Sequence, residues 1–128
     1  MESRTLPSGK ILNMTIASFA DGHKLLKAVA KEIEGVKFNA DVFKEPDAIK
    51  NLIMRAIYSS EVEEALKPCL ARCNYDKKQI TEEVFEDPKA RGDYLPVIKE
   101  VLTYNLSPFF GSLGSLLKDI KGLAPGQV

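Results

Sequence analysis

The chain has no tryptophan, a single histidine (His23) and only two cysteines, Cys69 and Cys73. Two cysteines do not make a disulfide framework, and the expected setting is a reducing one. Net charge is also missing, since 18 basic residues balance 18 acidic ones over 128 residues. A nucleic-acid-binding domain normally carries a basic excess, so no nucleic-acid partner is expected. Neutrality gives weak colloidal protection, which suits a protein that associates with itself or with another chain. Met1-Glu2-Ser3-Arg4 lacks the basic-then-apolar layout of a secretory signal. The longest uncharged stretch, Val101 to Leu117, nears the lower limit for crossing a bilayer. Thr103, Asn105, Ser107, Pro108, Gly111, Ser112, Gly114 and Ser115 make it too polar and too helix-breaking for a span, so no membrane is expected either.

What is present is ordinary globular material. Hydrophobic residues make up 45% and charged residues 28%, enough for one domain with its own core. Pro7-Ser8-Gly9 reads as a turn between two short strands, because proline presets φ and glycine accepts a positive one. Leu12, Met14 and Ile16 then alternate as in a half-buried strand. A lone two-stranded hairpin is marginal in water, so this one must lean on helices or on another copy.

Ser18 and Asp21 resemble a capping box for a helix carrying Leu25, Leu26, Val29 and Ile33, closed by Gly35. Val36 to Val42 is a loop or a short strand. Ile49, Leu52, Ile53, Ala56 and Ile57 form an apolar stripe at helical spacing. Ser60 with Glu63 suggests a further start. Val62, Leu66, Cys69, Leu70 and Cys73 continue it, with Pro68 inside the helix. Asn74 to Lys78 reads as a polar turn. Thr81 caps a short turn with Val84 and Phe85, and Asp87-Pro88 opens another that Gly92 ends. Asp93 is the expected cap of a helix through Tyr94, Ile98, Val101, Leu102 and Asn105. Ser107-Pro108 then restarts a last helix that Gly122 stops. The reading is a mainly α chain: about five helices over residues 18–122, an N-terminal β-hairpin arm over 1–17 and a tail over 123–128.

Little of this carries chemistry. Cys69 and Cys73, four residues apart, would share a helical face, and a zinc site would need His23 and carboxylates to complete it. The alternative is that both are small buried hydrophobes on the Leu66 stripe. Carboxylate pairs such as Glu63-Glu64 and Glu82-Glu83 sit at helix starts, where the helix dipole accounts for them. Gly111-Ser112-Leu113-Gly114 lacks the lysine and the strand of a phosphate loop. No catalytic residue, cofactor or metal is expected. Phe109, Phe110, Leu113, Leu116 and Leu117 instead make a stripe broad enough to serve both core and partner. Its two glycines each cost a helix on the order of 1 kcal/mol relative to alanine.

An ordered series of segments resembles the tail assembly chaperones of long-tailed bacteriophages, the siphophages. It runs from Leu6-Pro7-Ser8-Gly9-Lys10 and Ala17-Ser18-Phe19-Ala20-Asp21 to Ser59-Ser60-Glu61-Val62-Glu63-Glu64-Ala65-Leu66. It continues with Cys69-Leu70-Ala71-Arg72-Cys73-Asn74-Tyr75, Ile80-Thr81-Glu82-Glu83-Val84-Phe85-Glu86-Asp87, Ala90-Arg91-Gly92-Asp93-Tyr94 and Asn105-Leu106-Ser107-Pro108-Phe109-Phe110. The resemblance implies a non-enzymatic protein of the host bacterial cytoplasm, absent from the mature virion. Such a protein binds the tape measure protein, keeps it soluble and helps recruit tail tube subunits. A small metal-binding or nucleic-acid-binding helical regulator is the alternative from another class.

Overall fold

The structure, a computed structural model, describes residues 1–32, 51, 54–55 and 57–123, with side chains as far as Phe109. Ile33, Gly35, the Val36–Val42 stretch and the stripe residues Ile49, Leu52, Ile53 and Ala56 lie outside the described residues. Ile57 lies within them and packs against the core.

Strands β1 (Glu2–Thr5) and β2 (Ile11–Met14) pair antiparallel, as the sequence suggests. Their loop closes with Leu6 N–H donating to the Lys10 carbonyl at 2.9 Å and Gly9 N–H to the Leu6 carbonyl at 2.8 Å. Gly9 has φ +93°, which its missing Cβ makes affordable and which completes a three-residue hairpin loop. Leu6, Leu12 and Met14 are all buried. Each such side chain contributes about 1.5–3 kcal/mol, enough to hold a hairpin that would be marginal alone.

Ser18 begins helix α1 (Phe19–Glu32), its hydroxyl accepting from Asp21 N–H at 3.2 Å. Helix α2 (Ser60–Leu70) is capped by Ser59 rather than Ser60: the Ser59 hydroxyl accepts from Val62 N–H at 3.2 Å. Two adjacent serines satisfy the cap rule equally, and the one whose use leaves Val62, Leu66 and Cys69 facing inward prevails. Pro68 lies inside α2, where its missing N–H leaves the Glu64 carbonyl without a helical donor.

The fold class needs correction. A second hairpin, β3 (Cys73–Tyr75) and β4 (Lys78–Gln79), stands where the sequence suggests a polar turn. It completes a four-stranded antiparallel sheet in the order β1-β2-β3-β4. Tyr75 opposes Lys78, so Asp76 (φ 49°) and Lys77 (φ 70°) alone make the turn, both left-handed as a two-residue hairpin requires. Among the described residues the architecture is four helices on a four-stranded sheet, not helices with one appended hairpin. Cys73 therefore lies on a strand, not on the Cys69 helical face.

Glu82–Glu86 forms a single 3₁₀ turn, and the Thr81 side chain does not cap it. Helix α3 (Pro88–Arg91) follows, Asp87 accepting from Lys89 N–H at 3.0 Å. Helix α4 (Tyr94–Leu123) is one helix of 30 residues, about 45 Å long, running through Pro108. The expected break at Ser107-Pro108 is absent. A proline removes one helical bond, here to the Tyr104 carbonyl, and the helix continues past it, its preceding turns held in the core by Val101, Leu102 and Leu106.

The sheet face bearing Leu12, Met14, Cys73 and Tyr75 shares one core with Leu25, Val29, Val62, Leu66 and the α4 residues Val97, Ile98, Val101, Leu102 and Leu106. Two buried polar groups tie α4 to the rest. Asp93, 3% exposed, starts α4 through its carbonyl (Val97 N–H at 2.9 Å), but its side chain does not cap the helix. One carboxylate oxygen, Oδ2, accepts from the Tyr75 hydroxyl and from the Ser8 hydroxyl, each at 2.5 Å. Twelve residues on, Asn105 Oδ1 accepts from Ala17 N–H and its Nδ2 donates to the Val101 carbonyl, both at 2.9 Å.

Hydrogen bonds to a charged acceptor contribute about 1.5–3 kcal/mol each, and removing that acceptor strands a buried hydroxyl. Asp93→Ala is therefore expected to lower stability by about 3 kcal/mol in urea unfolding, whereas Ser8→Ala, at the exposed loop, costs about 1 kcal/mol. Equal effects from the two would contradict the assignment. Burial, reinforced by Asp93, pushes the Tyr75 phenol up to about 12. Its folded value lies above the unfolded one, so the neutral phenol's stabilisation is complete below about pH 10 and is lost as pH rises through about 12. Alkaline titration at 295 nm is expected to show a late tyrosine that Tyr75→Phe removes.

Candidate partner-binding surface

Phe109 is the last residue of α4 whose side chain is described, and it is half-buried against α1. A Cβ placed on Gly22 would lie 3.4 Å from the Phe109 ring, so that ring packs directly on the α1 backbone. The Phe109 ring also meets Phe19 at 5.9 Å between centroids, tilted by 43°. Phe19 in turn stacks on His23 at 5.4 Å, with ring planes 9° apart. The histidine thus lies on an aromatic ledge, away from both cysteines in role and setting.

That ledge faces outward. Phe19 is 74% exposed, and Ile16, expected to face inward, is 42% exposed. The strand ends at Met14, so the alternation no longer holds at Ile16 and Ala17 takes the inward place. Phe19 escaped the sequence reading as a surface residue because helical periodicity ranks it with the apolar stripe. Its place at the very start of α1, one residue after the cap, is the signal that could have found it. Phe110, Leu113, Leu116 and Leu117 lie further along α4, beyond the described side chains. Of the expected contact residues, only Phe109 is seen in its packing.

Two open grooves flank the helices. One, about 600 Å³, runs between α1 and α2 over Ala28, Ala65 and Pro68, with Lys24, Lys27 and Lys31 on one wall and Glu61 and Glu64 on the other. Lys31 and Glu61 pair across it at 3.1 Å. The other, about 630 Å³, lies between β1 and α4 and is lined by Arg4, Ile16, Glu100, Tyr104 and Pro108 among others. Neither converges polar groups on one point as a catalytic pocket does.

The thiols are held as core. Cys69 Sγ donates to the Ala65 carbonyl at 3.7 Å, and Cys73 Sγ to the Cys69 carbonyl at 3.4 Å. Burial pushes Cys69 up to about 11 and raises Cys73 as well, which disfavours the thiolate that a metal or an electrophile requires. Among the described residues, no group of three or more His, Cys, Asp or Glu is placed to hold a metal ion. Nor is any described helix long and apolar enough to cross a membrane. Both thiols are expected to resist DTNB at pH 8 in the folded protein and to react fully in guanidinium. Rapid labelling of either one in the folded state would contradict this.

Comparison with curated proteins, and with solved structures, returns no match. A family model described as phage tail assembly chaperone protein, TAC, matches residues 8–117. That span begins within the first hairpin loop and takes in β2, α1, α2, the second hairpin and α4 as far as the leucine-rich stripe, so the chain belongs to the phage tail assembly chaperone family.

Proposed function

We propose that this protein binds the tape measure protein of its phage, keeps it soluble and extended, and helps bring tail tube subunits to it. It works without catalysis, in the host bacterial cytoplasm, and leaves before the virion matures. It also self-associates. The family match over residues 8–117 carries this reading.

The surface chemistry supports it. A chaperone for a long apolar helical client needs apolar side chains that stay accessible while its own core is closed. Phe19 is accessible beside Phe109, and Ile16 is accessible in the groove that Tyr104 and Pro108 line. Phe110, Leu113, Leu116 and Leu117 follow along the same helix and extend the candidate contact surface. Aromatic anchors of this kind commonly dominate binding energy. The balanced charge of the chain fits a protein that associates with other chains.

Co-expression with the tape measure protein tests the proposal. Wild type is expected to hold the client in the soluble fraction. Phe19→Asp, at an exposed site, and Leu117→Asp are expected to send it to the pellet, with Phe19→Asp keeping the wild-type circular dichroism. A client that stays soluble with both variants would show that this surface is not the contact. A client that is insoluble even with wild type would remove the proposed function itself.

A further inference from the structure

Among the described residues β1 is an outer strand, and its hydrogen-bond phase determines what its free edge offers. The bond from Leu6 N–H to the Lys10 carbonyl marks the bonded position nearest the loop. In an antiparallel ladder bonded and non-bonded pairs alternate. Arg4 opposite Leu12 and Glu2 opposite Met14 therefore exchange backbone bonds with β2. The backbone groups of Ser3 and Thr5 point outward. Arg4 reaches along this edge, its guanidinium donating to the Ser3 carbonyl at 3.1 Å and pairing with Glu2 and Glu100.

Charge selects the occupant. When β1 pairs antiparallel with β1 of a second copy, outward-facing residues must meet outward-facing residues, which leaves four overlapping registers about a two-fold axis. An axis through Thr5 overlaps β1 only at Thr5 itself and sets Ser3 against Pro7, which has no N–H to give. An axis through Glu2 sets Glu2 against Glu2, and an axis through Arg4 sets Arg4 against Arg4. Like charges directly opposite are destabilising. An axis through Ser3 sets Glu2 of each copy against Arg4 of the other, twice. It also brings the two outward Ser3 residues into a reciprocal bonded pair. In that register Met1 lies opposite Thr5, on the sheet face that carries Ile11. Met1 and Ile11, 86% and 42% exposed, are then both partly covered.

We propose that β1 is a self-pairing edge, through which two copies of this chain join antiparallel about Ser3 into one continuous sheet. This places the self-association proposed above on a definite surface and rests on that reading. It does not depend on the identity of the client. An unpaired strand edge invites such pairing unless it is guarded, and here the guarding charges are complementary to a second copy of themselves.

Sedimentation equilibrium of the full chain at low salt tests it with four variants. Arg4→Glu and Glu2→Arg each create like-charge pairs across the two-fold and are expected to weaken the dimer at least about tenfold. The double variant, with both charges exchanged, is expected to recover most of the affinity. Thr5→Pro removes an N–H that bonds nothing within the sheet, so it is expected to weaken the dimer while leaving the far-ultraviolet spectrum unchanged. A wild type that stays monomeric would overturn both this edge and the self-association reading. A dimer indifferent to all four variants would overturn the edge alone. So would single variants that weaken it without rescue in the double. An edge that pairs only with another protein would equally refute self-pairing.

Discussion

One carboxylate oxygen joins three parts of this fold. Asp93 Oδ2 accepts from Ser8 in the first hairpin loop and from Tyr75 on the third strand, while the same residue's carbonyl begins α4. A buried charge is tolerable only when hydrogen bonds replace the water it has lost, and here two hydroxyls do so. Asn105 repeats the device further along, holding the Ala17 N–H that precedes α1. The two residues are about 18 Å apart along the helix. Between them lie Val97, Ile98, Val101 and Leu102, the apolar strip against which the sheet packs. The direction of α4 is thus set by polar bonds, and its burial by apolar area. Tyr75 also meets Phe85 at a tilt of 44°, and Phe85 meets the Tyr94 ring edge-on at 5.0 Å, so the same corner is sealed by aromatics.

This arrangement bears on function through what it leaves outside. With α4 fixed over its first half, Phe109 arrives beside α1 and forms a ledge with Phe19 and His23. The nucleophiles are buried as neutral thiols, and the acids are largely on solvated faces. Among these charged faces Phe19 and Ile16 stay exposed as well. That division suits a member of the tail assembly chaperone family, whose work lies in contacts with other chains.

Much of this was legible in the sequence where a residue type admits one backbone geometry. Pro7-Ser8-Gly9, Ser18 with Asp21, and Asp87-Pro88 each marked an element boundary, because few other structures use those residues in that order. The inward places of Leu25 and Val29 on α1, Val62, Leu66 and Cys69 on α2, and Ile98, Val101, Leu102 and Asn105 on the first half of α4 followed from helical spacing. The second hairpin was hidden because strands of three and two residues are too short to show a period of two. Cys73 also falls at helical spacing from Cys69 by coincidence, and Lys77 is an uncommon choice for the second left-handed turn position, where glycine usually follows an aspartate. Asp93 was expected to cap a helix, since an aspartate before a helix commonly does. Its true partners lie 18 and 85 residues away in the chain, a distance no local pattern reports. Pro108 suggested a break because its cost is local, while the packing that overrides it is not.

The central claim is that hairpin, sheet and α4 form one cooperative unit held together at Asp93. Native-state hydrogen exchange in low denaturant measures this directly. The account predicts that the amides of Leu12, Met14 and Val101 open with the same free energy and fall together in Asp93→Asn. An N-terminal hairpin that opens well below the free energy of α4, with Val101 unmoved by Asp93→Asn, would contradict it.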